Sequence, residues 1–289
     1  VRFSEWIALS YFVYLAAVAS RAPAAAPRRW VVVAAAAAIA GFTLAVSRVS
    51  AESVTSIVRD WTPLLYLAFG YWLPGLLVRA PDERLERALL RFDRRWLPRI
   101  GSGDTPSRAV GGAPARDEPR STSAEGRSNG WWRRLFVEWV ELNYLLCYPL
   151  APIGFACLYL AGLRGEADRF WTAVLLAALP CYGALPWLPA RPPRVVDKAP
   201  ARPSTVRTLN LHILERASVR LNTLPSAHVA SSTATALAVF SVLPAAGLFL
   251  GLIAGGIAIG SIVGRYHYLA DVIAGAAVAV AAFLVSRTT

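Results

Sequence analysis

Two histidines and an aspartate are the residues best suited to chemistry in this chain. His228 follows Leu224-Pro225-Ser226-Ala227, and His267 lies in Gly264-Arg265-Tyr266-His267-Tyr268-Leu269-Ala270-Asp271. His267 and Asp271 are four residues apart, so on a helix they share a face. A carboxylate there accepts the proton on one ring nitrogen and leaves the other free as a base or nucleophile. Ser226 follows a proline and precedes a long apolar run, which suits an N-cap. The backbone donors at such an end, from Ser226 and Ala227 onward, favour an anion, phosphate above all. Arg265 adds a permanent charge and a bidentate donor. Together these groups suggest phosphoryl chemistry through a phosphohistidine. Any one of them alone is more ordinarily a structural polar residue. However, the chain has only 3 His, and two of them fall at the ends of one apolar hairpin. Ionisable groups at membrane segments mark function by default.

The hairpin is what must bring the histidines together. Between them lie apolar runs 229–243 and 248–263, broken at Pro244 and Gly247. The separation of 39 residues is roughly 58 Å of helix, or roughly 29 Å per leg if folded at the break, about the thickness of a bilayer's hydrocarbon core. The chain is expected to leave one membrane face at His228 and return to it at His267.

Composition places the chain in a membrane. Of 289 residues, 56% are hydrophobic and the mean hydropathy is +0.45, with several runs near the ~20 apolar residues of a spanning helix. The net charge of +12 lies in loops beside these runs, without a nucleic-acid fold signature, so its expected partners are anionic lipid headgroups. Cys147, Cys157 and Cys181 sit in apolar segments and read as small buried residues. Lys198 is the sole lysine against many arginines, and alanine is abundant. This composition suggests a GC-rich bacterial gene and a plasma-membrane protein.

The expected fold is all-α, a polytopic membrane helix bundle of about eight spans. They are 6–20, 30–47, 61–78, 135–162, 170–189, 227–245, 248–264 and 268–286. The first reads as an anchor and not a signal peptide. Residues 82–99, with Leu85, Leu89, Leu90, Phe92 and Trp96, read as a charged amphipathic helix on the membrane surface. Residues 101–130 are rich in Gly, Ser, Pro and Arg and are expected to be a disordered tether. Glu138 and Glu141 fall in the fourth span, either at the interface or with one facing a polar cavity. Proline holds the loop Arg191-Pro192-Pro193-Arg194 extended, so its guanidinium groups are presented either as topology signals or as phosphate ligands. Residues 204–222 read as an interfacial helix with Val206, Leu209, Ile213 and Ala217 on one face. His212 on it reads as a surface residue. The division is 1–80 for N-terminal helices, 81–134 for the basic helix and loop, and 135–289 for a membrane core.

The motifs resemble the type 2 phosphatidic acid phosphatase superfamily over roughly residues 135–286. That family carries Lys, six residues, Arg-Pro; then Pro-Ser-Gly-His; then Ser-Arg, five residues, His, three residues, Asp. Here the second motif reads Pro225-Ser226-Ala227-His228, and the third keeps His267 and Asp271 followed by Val272-Ile273-Ala274-Gly275. The first corresponds to Arg191-Pro192-Pro193-Arg194, with Ala184 at the lysine position and Lys198 downstream as a substitute. Ser261 stands at the third motif's arginine position, and Ala227 replaces the glycine. This pattern is most similar to the branch containing inositol phosphorylceramide synthases and related bacterial proteins. The resemblance implies a metal-free reaction with no cofactor. In it His267 attacks phosphorus, Asp271 orients His267, and His228 protonates the leaving oxygen. Arg191, Arg194 and Arg265, with Lys198, neutralise phosphate oxygens.

The expected function is a membrane lipid phosphatase or phosphotransferase acting on a lipid phosphate, with water or an alcohol as acceptor. The alternative is a non-catalytic lipid-phosphate binder or transporter, favoured by the missing lysine and opposed by the intact His–Asp pair. Alternating spans place all three motifs on one face. That face also collects 24 of the 30 Lys and Arg, and the positive-inside rule makes it cytoplasmic.

Overall fold

The computed structural model describes residues 1–22, 25–48, 56–78, 80–97, 124–197 and 204–289, with only the backbone for 124–130. Among them are thirteen α-helices and no strand, only a bridge between Ala190 and Asn222. The helices are α1 (Phe3–Arg21), α2 (Ala26–Ser47), α3 (Ser56–Trp61), α4 (Pro63–Gly75), α5 (Glu83–Trp96), α6 (Ala124–Leu145), α7 (Leu150–Leu160), α8 (Ala167–Gly183), α9 (Pro193–Val196), α10 (Thr205–Ala217), α11 (Ala227–Phe240), α12 (Pro244–Val263) and α13 (Leu269–Ser286).

Helix α8 is the central post. Small residues along it let α1, α4, α11 and α13 pack around it. One apolar core joins Phe155 of α7, Phe170, Trp171 and Val174 of α8, Val239 of α11 and Ile257 of α12. A second joins Phe12 and Leu15 of α1 and Tyr66 of α4 to Leu175 and Leu179 of α8. The N-terminal helices therefore share a core with the rest of the chain.

All eight apolar segments are helical, but their lengths differ from eight equal spans. Among the described residues four helices are long and apolar enough to cross a membrane: α1, α2, α12 and α13. The pair α6–α7 makes a fifth if its 69° bend lies within one span. The others are shortened by identifiable breaks. Thr62 and Pro63 split the third segment into α3 and α4. The turn before Pro149 bends the fourth. The hairpin between the histidines turns at residues 241–243, ahead of Pro244, which occupies the first position of α12, where a missing N–H costs nothing. Its legs are therefore unequal, 14 and 20 residues.

Two sequence expectations change further. Residues 124–130 open helix α6, whereas 101–123 lie outside the described residues. The interfacial helix expected over 204–222 ends at Ala217, and none of Val206, Leu209, Ile213 and Ala217 on its apolar face is buried. Asn210 and Leu214 are buried, and Leu209 is exposed, because a polar anchor on α6 draws the other side inward. Cys147 and Cys181 are buried, Cys157 is half-buried, and all three are free thiols.

The bundle has two distinct ends. At one, buried Asp60 holds Arg2 at 2.8 Å and Arg164 at 2.5 Å, Glu5 holds Arg59 at 2.6 Å, and Asp168 accepts the backbone N–H groups of Phe3 and Ser4. The histidine motifs lie at the other end, beyond the 17-residue length of α8, roughly 26 Å at ~1.5 Å per residue.

Candidate active site

The site forms where α11 and α13 begin side by side. The Ser226 side chain caps α11 by accepting from Val229 N–H, as its place before an apolar run predicts. Backbone crossing fixes the pair: Ser226 N–H donates to the Asp271 carbonyl at 2.9 Å. The approach is tight enough to need Gly275, because a Cβ there would lie 2.5 Å from the Ser226 carbonyl oxygen.

Asp271 is fully buried at the third position of α13, and one of its oxygens gathers three donors. They are His267 Nδ1 at 3.3 Å, Asn222 Nδ2 at 3.2 Å and Tyr268 N–H at 3.2 Å. With Nδ1 turned to the carboxylate, Nε2 is the nitrogen left to the cleft. The His228 ring stands 5.7 Å from that of His267, nearly perpendicular at 81°. The hairpin brings His228 to His267 and Asp271 as the sequence suggested, but His267 lies in the bend before α13 and not on a shared helix face; Asp271 reaches back to it from the third position of the helix.

A polar buttress stands behind His228. Its ring meets the edges of Tyr144 and Tyr148 at 5.7 and 5.6 Å. Tyr144 stacks on Tyr266 at 3.8 Å, close to parallel at 9°. The Tyr266 hydroxyl donates to Glu141 at 2.5 Å. Glu141, only 1% exposed, also receives Arg207 at 2.8 Å and Asn210 at 2.9 Å. A carboxylate this deep persists only when paired and hydrogen-bonded. Glu141 is thus the polar anchor that rotates α10 onto α6, and Arg207 extends it to the Gly264 carbonyl. Glu138, one turn earlier, accepts from Ser204, Thr205 and Val206 at the start of α10.

The basic residues divide sharply. Arg194 lines the cleft, its guanidinium 5.0 Å from the Tyr266 ring centroid. Among the described residues no carboxylate lies within ion-pair distance of it, and burial lowers its pKa from the usual value. Arg191 is instead clamped by Glu86 of α5, whose carboxylate receives its Nε at 2.9 Å, its Nη2 at 2.7 Å and its backbone N–H at 2.8 Å. That hydrogen bonding holds Glu86 below the usual carboxylate range. Arg265, in a left-handed conformation with φ 58°, donates to Asp197 at 2.5 Å. Neither Arg191 nor Arg265 lines the cleft. Lys198 lies outside the described residues. The Ser226 and Ala227 amides are also committed, the latter to Thr223 Oγ1 at 3.0 Å. His212 is exposed on α10, in an open depression apart from the two histidines.

The cleft over the histidines is nearly closed. Tyr71, Tyr144, Arg194, Arg220, Asn222 and Tyr266 line it, and its free volume is about 20 Å³, about one water molecule. The mouth segment 218–220 is latched to α4. Tyr71 Oη meets Ser218 Oγ at 2.9 Å and accepts Val219 N–H at 3.1 Å, while Trp72 Nε1 donates to the Ala217 carbonyl at 3.0 Å. Val219 packs so closely on Gly75 that a Cβ there would lie 2.4 Å from it. Among the described residues no group of three or more His, Cys, Asp and Glu is arranged to hold a metal ion.

Sequence reasoning gave no site role to Asn222, Glu86, Tyr71 or Tyr266. Glu138 and Glu141 carried a readable signal, carboxylates inside an apolar run, and Glu141 is the one that is buried.

A family model described as PAP2 superfamily matches residues 131–285, more than half of the 289-residue chain. No curated protein and no solved structure matches.

Proposed function

The chain belongs to the PAP2 superfamily, and from that premise we propose that it is a membrane enzyme cleaving or transferring the phosphoryl group of a lipid phosphate. The observation that carries this reading is the His267–Asp271 contact facing His228 inside a closed cleft. Asp271 holds the Nδ1 proton of His267, and Asn222 fixes the carboxylate. Nε2 attacks phosphorus in line. The P–O bond to the lipid alcohol breaks as His228 gives its proton to that oxygen, leaving phosphohistidine at position 267. Water returns inorganic phosphate, and an alcohol returns a new phosphoester. The Arg-Tyr-His-Tyr stretch and the Arg-Pro-Pro loop resemble the inositol phosphorylceramide synthase-like branch and lean towards transfer, while the sequence marks no acceptor pocket, which leaves hydrolysis on an equal footing.

Phosphate charge falls to Arg194 and, at the mouth, Arg220, both of which line the cleft and, among the described residues, have no carboxylate partner. Arg191 and Arg265 serve this reading as fixed loop supports, tied to Glu86 and Asp197. Because the cleft has room for about one water, substrate entry requires the latched segment 218–220 to yield.

The test is phosphate release from phosphatidic acid, polyprenyl phosphates and phosphatidylinositol phosphates, comparing the unaltered protein with His267→Ala. Release that disappears in the variant is the expected result. If neither releases phosphate, added alcohol acceptors test transfer, and failure there favours the non-catalytic binder.

A further inference from the structure

Helix α5 carries features that the phosphoryl reaction does not use. Its inward face holds two parts of the site: Glu86 clamps Arg191, and Asp93 Oδ1 accepts the N–H of Leu269, the first residue of α13, at 2.9 Å. Leu89 on the same face is buried against Ala190 and Tyr268. That apolar stripe does not stop where the protein does. Phe92 and Trp96 lie three and seven residues beyond Leu89, on nearly the same side of the helix. They are 37% and 60% exposed. Helix α5 packs against α13, which is long and apolar enough to cross a membrane, so an uncovered aromatic edge on α5 suits the bilayer surface. The opposite face carries Arg84, Arg87, Arg91, Arg94 and Arg95, all exposed. Among the described residues their contacts are exposed and loose: Arg87 to Glu83 at 3.5 Å, Arg94 to Asp197 at 3.9 Å, and Arg95 over the Trp96 ring at 5.8 Å. An uncovered aromatic edge opposite an arginine face is the arrangement of an in-plane helix that binds anionic headgroups.

We propose that α5 docks on anionic lipid headgroups and thereby orders the two site segments that its inner face holds, the Arg191 loop and the start of α13. The partner is the charged bilayer surface, not the reacting lipid. The docking stands on α5 alone. Any consequence for turnover rests on the function proposed above.

The full chain is placed in nanodiscs of phosphatidylcholine alone or of phosphatidylcholine with phosphatidylglycerol, and backbone hydrogen exchange is followed. Each arginine held near an anionic surface favours the docked state by roughly fivefold, so amides of 83–96 are expected to exchange at least about tenfold more slowly in the anionic discs. The Arg191 and Leu269 amides, which bond to Glu86 and Asp93, should slow with them. Replacing the five arginines by glutamine should abolish the difference, and in the unaltered protein high salt should weaken it. Equal exchange in the two lipids overturns the proposal, as does a difference that survives the substitutions. Slowing reproduced by soluble glycerol phosphate in detergent would assign the arginines to a free phosphate and overturn it too. Protection of α5 without Arg191 and Leu269 would overturn the coupling. None of these readouts needs turnover.

Discussion

Asn222 donates its side-chain amide to the same Asp271 oxygen that holds His267 Nδ1, at 3.2 and 3.3 Å. Asn222 reaches that oxygen because its backbone N–H is anchored to the Ala190 carbonyl at 2.7 Å, which ties the loop after α8 to the start of α11. A hydrogen bond to a charged group is worth ~1.5–3 kcal/mol, so Asn222→Ala should lower kcat roughly 10- to 100-fold if the bond is kept in the transition state. KM should change little, since Asn222 acts through Asp271. Steady-state kinetics on the substrate that the panel identifies would check this. A KM effect with unchanged kcat would contradict the assignment.

His228 and His267 should separate by leaving group. As a general acid, His228 contributes ~10²–10⁴-fold with an alkyl leaving oxygen and far less when the leaving group is already a good one. His228→Ala should therefore recover much of its activity on p-nitrophenyl phosphate, while His267→Ala stays inactive on both substrates. Equal losses on both substrates for His228→Ala would remove its proton-transfer role.

The buttress makes a stability prediction. Glu141→Ala leaves Arg207 buried beside a vanished partner, a loss that typically costs ~3–5 kcal/mol. Thermal unfolding in detergent should show a large drop in Tm. Tyr266→Phe, which removes a single hydroxyl, should cost less and keep the stack on Tyr144.

Sequence and structure part company at the basic residues. The three residues His228, His267 and Asp271 were legible from their types and short spacing and from the hairpin, although the spacing works by a route other than a shared helix face: His267 sits in the bend before α13, and Asp271 reaches back to it from the first turn. The all-helical architecture was legible from the apolar runs. Which arginine is free was not legible, since that depends on distant carboxylates. Glu86 lies 105 residues before Arg191, and nothing local marks their pairing. The same holds for the Ser226 and Ala227 amides, whose position at a helix start suggested an anion site but whose hydrogens are taken by Asp271 and Thr223. For α10 the apolar face was legible, but the buried one was not, because it is set by Glu141 on α6, which takes Arg207 and Asn210.

Acid titration should report Asp93. Burial, assisted by the Asp271 charge, pushes its pKa up to about 6, against the pull of the Leu269 N–H and Arg265. Between an ordinary aspartate value of about 4 and that raised value, the folded chain keeps a proton that the unfolded chain has lost. Stability from this group is therefore complete below the window and declines as pH rises through it. Tm measured across the window should fall with rising pH more in the unaltered protein than in Asp93→Asn. Parallel curves would place Asp93 in an ordinary solvated setting.

Gly275→Ala should separate the two helix starts. A methyl group 2.5 Å from the Ser226 carbonyl forces α13 away from α11, and overpacking of this kind costs ~1–3 kcal/mol. Activity should fall more than stability, because the shift moves His228 relative to His267. Measuring both quantities on one preparation decides the matter.

The chain before residue 98 grips the rest at two levels, through Asp60 and Asp168 at one end and through Glu86, Asp93 and Tyr71 at the other. Two grips separated by the height of the bundle fix its tilt as well as its position. Fragments 1–97 and 124–289, synthesised from separate genes in one cell, should consequently reassemble into a working particle. A gene trimmed to the family boundary alone should yield a product with a slack Arg191 loop and an unlatched cleft mouth.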